Sequence, residues 1–224
     1  MIFWYILLFI GAYMIGNISF AIILSRKKNN DITKLGSGNP GSMNMLRNFG
    51  FKTGFLTLTL DCLKGATPAL VGMLTLGEHG LYLAGLGVVL GHIYPVVRKF
   101  KGGKGVACTL GVFLVANPLW TLAFFVIAFF YLLFFDYGAI ASFIVVTAMT
   151  IIEAGAHAGD LMVSILLFLI FFIVFFSHRK NITRLLIGKE NKANLKRALS
   201  KLKSKKTHEE KKTAKKQAKQ REIG

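Results

Sequence analysis

The chain is built from apolar runs of about 20 residues without lysine or arginine, separated by short stretches into which its cations are gathered. That pattern leaves few folds open. Water-soluble domains alternate apolar and charged residues along each element, and a membrane β-barrel shows short alternating segments. A continuous apolar run in lipid must satisfy its own backbone groups, which means helix. The composition agrees, with 54% hydrophobic residues, 20 Phe, 17% charged residues and a mean hydropathy of +0.55. The chain therefore reads as an all-α polytopic membrane protein with about seven transmembrane helices. They are expected at 2–25, 53–76, 80–97, 106–117, 118–135, 138–154 and 160–177, the fourth short and crossing only in part. Asn117-Pro118 marks the break between the fourth and the fifth.

Lys and Arg set the orientation. Residues 26–52 carry six of them and residues 98–104 four, whereas 77–79 and 154–160 carry none and hold Glu78 and Asp160. The positive-inside rule puts the N-terminus outside and the C-terminus in the cytoplasm, which an odd number of spans satisfies. The net charge of +18 is concentrated in a tail: 11 Lys and Arg fall in residues 1–178 and 17 in 179–221. A basic tail beside a membrane argues for an anionic lipid surface and against nucleic acid. Two parts follow, an integral membrane domain over 1–190 and a Lys-rich tail over 191–224, disordered or lying on the membrane. Within that tail Leu195, Leu199 and Leu202 are spaced for an amphipathic turn or two on lipid. Cys62 and Cys108 lie in apolar runs and read as small buried hydrophobes, not as a disulfide or metal site. The N-terminal MIFWYILLFIGAYMIG has no basic leader and reads as a retained first span.

The chemistry-bearing residues fall in the cationic stretches. GHIYPVVRKFKGGKG (91–105) sets Lys104 among Gly102, Gly103 and Gly105, just before an apolar run. Glycines let backbone N–H groups converge and a following helix adds its positive end, so the stretch suits a phosphate. A tight cationic turn between two spans is the plainer alternative, and the Walker A pattern fails. LGSGNPGSMNMLRNFG (35–50) offers Ser37, Asn39, Ser42 and Asn44 as donors, with Gly36, Gly38 and Gly41 for a backbone nest and Arg47 as a fork for phosphate. In SHRKNITRLLIGKE (177–190), His178, Asn181 and Arg184 share a helix row, with Glu190 placed to anchor a cation or amide. Asp61 and Lys64, at i,i+3 in the second span, share a helix face and can pair, as a structural ion pair facing the bundle or, alternatively, in a catalytic role. His92 ends the third span beside the glycine turn as an orienting group; with His79 and His157 on the opposite side, the histidines assemble no metal cluster.

With those stretches in hand, a family can be named. GSGNPGSMNMLR (36–47), GHIYPVVRKFKGGKGVA (91–107) and SHRKNITRLLIGKE (177–190) resemble the signature motifs of the bacterial acyl-phosphate-dependent glycerol-3-phosphate acyltransferases, the PlsY type. DCLKG (61–65) also resembles the family's second-span pattern, so the likeness runs from residue 1 to about 190. The resemblance implies seven helices, a cytoplasmic site, and transfer of an acyl chain from acyl phosphate to the sn-1 hydroxyl of glycerol 3-phosphate. Lysophosphatidic acid and phosphate are the implied products, with no cofactor, metal, coenzyme A or acyl carrier protein. Carried onto this chain, it implies His178, Asn181 and Lys104 at the chemistry. It implies Ser37, Gly38, Asn39, Gly41, Asn44, Arg47, His92, Gly102, Gly103, Lys104, Gly105, Ser142, Asn181 and Arg184 on the substrates. Asp61, Lys64 and Glu190 are left as structural. FDYGAIAS (135–142) departs from the family's Arg-Tyr-x-Ser-like stretch at Asp136 and Ala139, keeping Tyr137 and Ser142.

The residue inventory suits that reaction. Acyl phosphate is an activated anhydride, so positioning and charge stabilisation by Arg47, Lys104 and Arg184 can suffice without a covalent intermediate. The HxxxxD dyad of other acyltransferases is missing, since Ala84, Val97, Met162 and Thr183 follow His79, His92, His157 and His178 by five residues. His178 is the candidate base, and a donor phosphate oxygen is the substrate-assisted alternative. A transporter of an organic phosphate is the rival reading, but it would need polar residues right across the bilayer; a membrane scaffold would leave the Gly-Ser-Asn loop unexplained.

Overall fold

A computed structural model of the chain describes residues 1–202 and Ser204, and the described residues contain helices and turns but no strand. The expected disorder at the end of the tail, and His208, lie outside the described residues. In chain order the helices are α1 (Ile2–Gly16), α2 (Phe20–Arg26), α3 (Ser42–Phe49), α4 (Phe51–Ile93), α5 (Val106–Ala116), α6 (Pro118–Phe135), α7 (Gly138–Ala156), α8 (Leu161–Ser177) and α9 (Arg179–Leu186). A last one, α10, covers 195–202.

Four helical segments are long and apolar enough to cross a membrane, 2–26, 51–98, 118–135 and 138–156, and the α8–α9 pair, bent by 55°, makes a fifth. The longest is not straight. Gly77, with φ 64° and ψ −151°, breaks α4, and the chain folds back there so that Gly72 and Gly80 press backbone to backbone. The halves 51–76 and 78–93 match the expected second and third spans. The expected first span is interrupted instead of continuous, with α1 and α2 separated at Asn17–Ser19. α5 is short as expected, and Pro118 opens α6 where its missing N–H costs nothing.

Glycines set how closely the bundle packs. A Cβ on Gly111 would lie 2.7 Å from the Ala66 nitrogen and still nearer the Cys62 carbonyl, and one on Gly65 would strike Cys108. α4 and α5 therefore cross with almost no side chain between them, the packing lipid-embedded helices favour. Around that crossing Tyr82, Val88, Phe113, Met149, Leu167 and Ile170 form the main core. A second cluster, Ala21, Ile22, Ile32 and Met45, sits under the 35–50 loop. The outward faces of α1, α6 and α8 expose Phe3, Trp4, Leu119, Phe134, Phe168 and Phe172, as a lipid-facing surface requires. At the end away from the cationic loops, His79 meets Asp160 at 2.6 Å, His157 meets Glu78 at 3.0 Å, and Tyr82 donates to Glu153 at 2.6 Å. These stitch the start of the 78–93 half to α7 and α8.

The chain beyond Glu190 does not leave the bundle at once. α10 begins where the leucine spacing places a helix, but Leu195, expected to lie on lipid, is 2% exposed. Ala193 beside it is fully buried.

Candidate active site

The three cationic stretches converge at one end of the bundle around two abutting cavities. One, of about 220 Å³, is lined by Ser37, Gly38, Asn39, Arg47, Gly102, Lys104 and residues of α9. The other, of about 260 Å³, shares Ser37, Asn39, Arg47, Lys104 and Asn181 with the first and continues between helices as an apolar slot past Leu58, Leu110, Phe125, Phe129 and Val145. Among the residues expected on substrates or at the chemistry, all but Gly103 line one cavity or the other. Sequence reasoning missed Ser177, Lys180 and Leu195, which also face them. Ser177 and Lys180 sit inside a motif already singled out, so helical spacing from Asn181 could have found them. The sequence marks Leu195 only as part of an amphipathic turn in the tail.

The 35–50 loop is shaped by its own amides. Asn44 donates to the carbonyls of Leu35 (2.9 Å) and Ile32 (3.3 Å) and accepts the Ser37 N–H (3.2 Å), so its side chain folds the loop. Ser37, Asn39 and Arg47 are thereby left at the cavity wall. In the glycine turn, Gly103 spends its N–H on the His92 carbonyl at 3.1 Å and lies against the His92 ring. The turn is therefore buttressed by backbone, and its cavity-facing parts are Gly102, Lys104 and the first turn of α5 from Gly105 to Ala107. Ser177 ties the turn to the third motif by donating to the Lys104 carbonyl at 3.0 Å.

Glu190 does what its position suggested. Its two oxygens accept from Asn181 Nδ2 (2.6 Å) and Arg184 Nε (2.9 Å), fixing both around a buried carboxylate. Lys104 is lowered to about 8, first by burial, against the pull of Glu190 and with the charges of Arg184 and Arg47 adding to the fall. Burial also lowers Arg47. Three cations crowd around one carboxylate, a deficit that a bound anion relieves. His178 is buried and lowered to about 4, by burial and then by Lys104. Its Nδ1 lies 2.8 Å from the Val174 carbonyl, which can only accept. The proton therefore sits on Nδ1, and the neutral ring leaves Nε2 as an acceptor.

Asp61 and Lys64 pair as expected, at 3.2 Å. The ammonium does more: it donates to the carbonyls of Gly16 (3.2 Å) and Ile18 (2.6 Å), which the α1–α2 break leaves without helical partners, and to His92 Nδ1 (2.9 Å). Arg98 donates to the Asn17 carbonyl in the same break, at 3.1 Å. The expectation that no metal-competent group assembles needs correcting, because Asp61, His92 and Cys108 bring ligand atoms within 4.8 Å of one another. The histidine count missed it because only one imidazole is involved. Lys64 already occupies hydrogen-bonding distance to this group, so it is charge-matched by an ammonium.

Fold and site together define an integral membrane protein that gathers cations at one end of its helix bundle, beside an apolar slot. The model of the family described as glycerol-3-phosphate acyltransferase matches residues 6–188. A glycerol-3-phosphate acyltransferase of Geotalea daltonii is 41% identical over 187 residues, spanning 83% of this chain and 96% of the relative. One of Alkaliphilus metalliredigens is 39% identical over 188 residues, 84% and 95% of the two chains. Among solved structures, PlsY, an integral membrane glycerol 3-phosphate acyltransferase, is similar in its glycerol 3-phosphate form with a TM-score of 0.78 at 36% identity. That likeness covers 84% of this chain and 94% of the other. Its lysophosphatidic acid form gives the same score and identity over 87% and 98%. The chain belongs to the glycerol-3-phosphate acyltransferase family and is a membrane acyltransferase of phospholipid synthesis.

Proposed function

We infer that residues 1–190 form a seven-span domain, N-terminus outside, that acylates the sn-1 hydroxyl of glycerol 3-phosphate at the cytoplasmic surface. The donor is acyl phosphate, with no need for coenzyme A or acyl carrier protein, and the products are lysophosphatidic acid and inorganic phosphate. The observation that carries this reading is the pair of cavities sharing Ser37, Asn39, Arg47, Lys104 and Asn181: a cation-lined pocket for a soluble phosphate abuts an apolar slot for a chain. The solved relative's glycerol 3-phosphate and lysophosphatidic acid forms support the same substrate and product. The fold-back at Gly77 supports seven spans by dividing the 51–98 segment in two.

In this reading Arg47, Lys104 and Arg184 hold phosphate oxygens, and Ser37 and Asn39 complete the pocket. Asn181, held by Glu190, and neutral His178 orient the acceptor hydroxyl through their free acceptor atoms. The hydroxyl oxygen attacks the acyl carbonyl carbon, the bond from that carbon to the phosphate oxygen breaks, and the hydroxyl proton leaves with the phosphate as hydrogen phosphate. An imidazole lowered to about 4 is a weak base at neutral pH. That supports a donor phosphate oxygen as the proton acceptor. Incubating purified protein with acyl phosphate and labelled glycerol 3-phosphate tests the reading; lysophosphatidic acid is the expected product. Transfer from acyl-coenzyme A but not from acyl phosphate would overturn the donor assignment.

A further inference from the structure

Beyond residue 188, where the family match ends, the chain reaches back to the site. Arg47 donates from Nε to the Lys192 carbonyl (2.8 Å) and from Nη2 to the Asn191 carbonyl (3.1 Å). The next three residues are fastened to one aspartate. The Ala193 N–H donates to the Asp136 carbonyl at 2.8 Å, and the Asn194 and Leu195 N–H groups donate to the two Asp136 carboxylate oxygens at 3.0 and 3.1 Å. Asp136 can do this because it ends α6 in a left-handed conformation, φ 68° and ψ 17°, with its own N–H returned to the Leu132 carbonyl. Leu195, drawn in by these bonds, closes part of the larger cavity.

A guanidinium carries five N–H donors along two usable edges. Here the Nε–Nη2 edge is filled by two successive backbone carbonyls. Among the described residues the Nη1–Nη2 edge meets no partner, and Arg47 lines both cavities. A free arginine must surrender rotamer freedom when it grips an anion, and one already fixed along one edge has surrendered it beforehand. We propose that residues 191–195 are a positioning strap that holds one edge of Arg47 so that the other meets the phosphate of glycerol 3-phosphate, with Asp136 as its clasp. The proposal rests on the reading of this pocket as the acceptor's phosphate site. Asp136 is a positioning residue, acting through Arg47.

The test uses full-length protein carrying Asp136→Gly or Asp136→Asn. Both accept the left-handed backbone; the first removes both carboxylate acceptors, and the second keeps one oxygen without the charge. For Asp136→Gly, the KM for glycerol 3-phosphate should rise about tenfold or more, while kcat and the KM for acyl phosphate move less than about twofold. Asp136→Asn should fall between. In an Arg47→Ala background, Asp136→Gly should add less than about twofold, because the strap then has no fork to aim. Equal increases in both KM values, or effects of Asp136→Gly and Arg47→Ala that multiply, would overturn the strap. Calorimetric binding of glycerol 3-phosphate without donor carries the same expectation for Kd. A wild-type chain that binds the acceptor but fails to use acyl phosphate would therefore sink the donor assignment, while the Kd of Asp136→Gly still decides for or against the strap.

Discussion

Lys104 offers the sharpest check on the site, because its environment predicts a pH profile as well as a loss of rate. It lines both the cation-rich pocket and the mouth of the apolar slot, with burial and two neighbouring cations lowering it to about 8. In the free enzyme roughly nine-tenths of it is charged at about pH 7 and roughly one-tenth at about pH 9. The sign follows: the cation holds the anion, a lowered lysine pKa empties that form as pH rises, and kcat/KM should fall roughly tenfold between those two values. Removing the charge-assisted bond altogether costs about 1.5–3 kcal/mol, or about 10- to 150-fold, so Lys104→Ala should be low and flat across the alkaline range. Lys104→Arg, which keeps its charge throughout, should lose the alkaline limb even if its rate is reduced. Lys99, exposed and in a left-handed turn at φ 51°, faces neither cavity, and Lys99→Ala should keep nearly wild-type kcat/KM. The assay is initial-rate formation of lysophosphatidic acid from acyl phosphate, corrected at each pH for spontaneous donor hydrolysis. An alkaline limb that persists in Lys104→Arg, or equal losses for Lys99→Ala and Lys104→Ala, would refute the reasoning.

Single cysteines at Ser42, Val106 and Thr183 should react with impermeant maleimide from the cytoplasmic side only; outer-side labelling of any of them would reverse the topology. Glu190→Ala should lower kcat/KM by about 10- to 150-fold, because Asn181 and Arg184 lose their shared anchor and the half-buried Arg184 loses its ion-pair partner. A loss below about threefold would show that both side chains hold their places unaided. Gly111→Ala, which would drive a methyl into the Cys62 carbonyl, should cost about 1–3 kcal/mol, read as a lower unfolding midpoint in detergent, whereas Gly155→Ala, with open space around it, should change the midpoint little.

The architecture was legible because lipid permits so little. Long apolar runs that hold no lysine or arginine mark helices whatever their neighbours do, so the helix bounds of α6, α7 and α8 fall within a residue or two of the pattern. The phosphate-suited residues were legible too, since Gly, Ser, Asn and Arg gathered in short loops have few other uses. Partner choice was not. The sequence cannot say that Lys64 would serve the carbonyls of a broken first helix, because the break at Asn17–Ser19 carries no proline and costs nothing visible until a cation is folded against it. It assigns Asn44 to a ligand, where the folded loop consumes its amide, and it reads residues after 190 as a tail. Composition reports the average behaviour of a Lys-rich stretch, whereas Ala193 and Leu195 are buried by a specific aspartate 57 and 59 residues earlier. Helices are fixed by local hydrogen bonds and the solvent around them; which side chain finishes another's coordination is decided only when distant loops are brought to the same few ångströms.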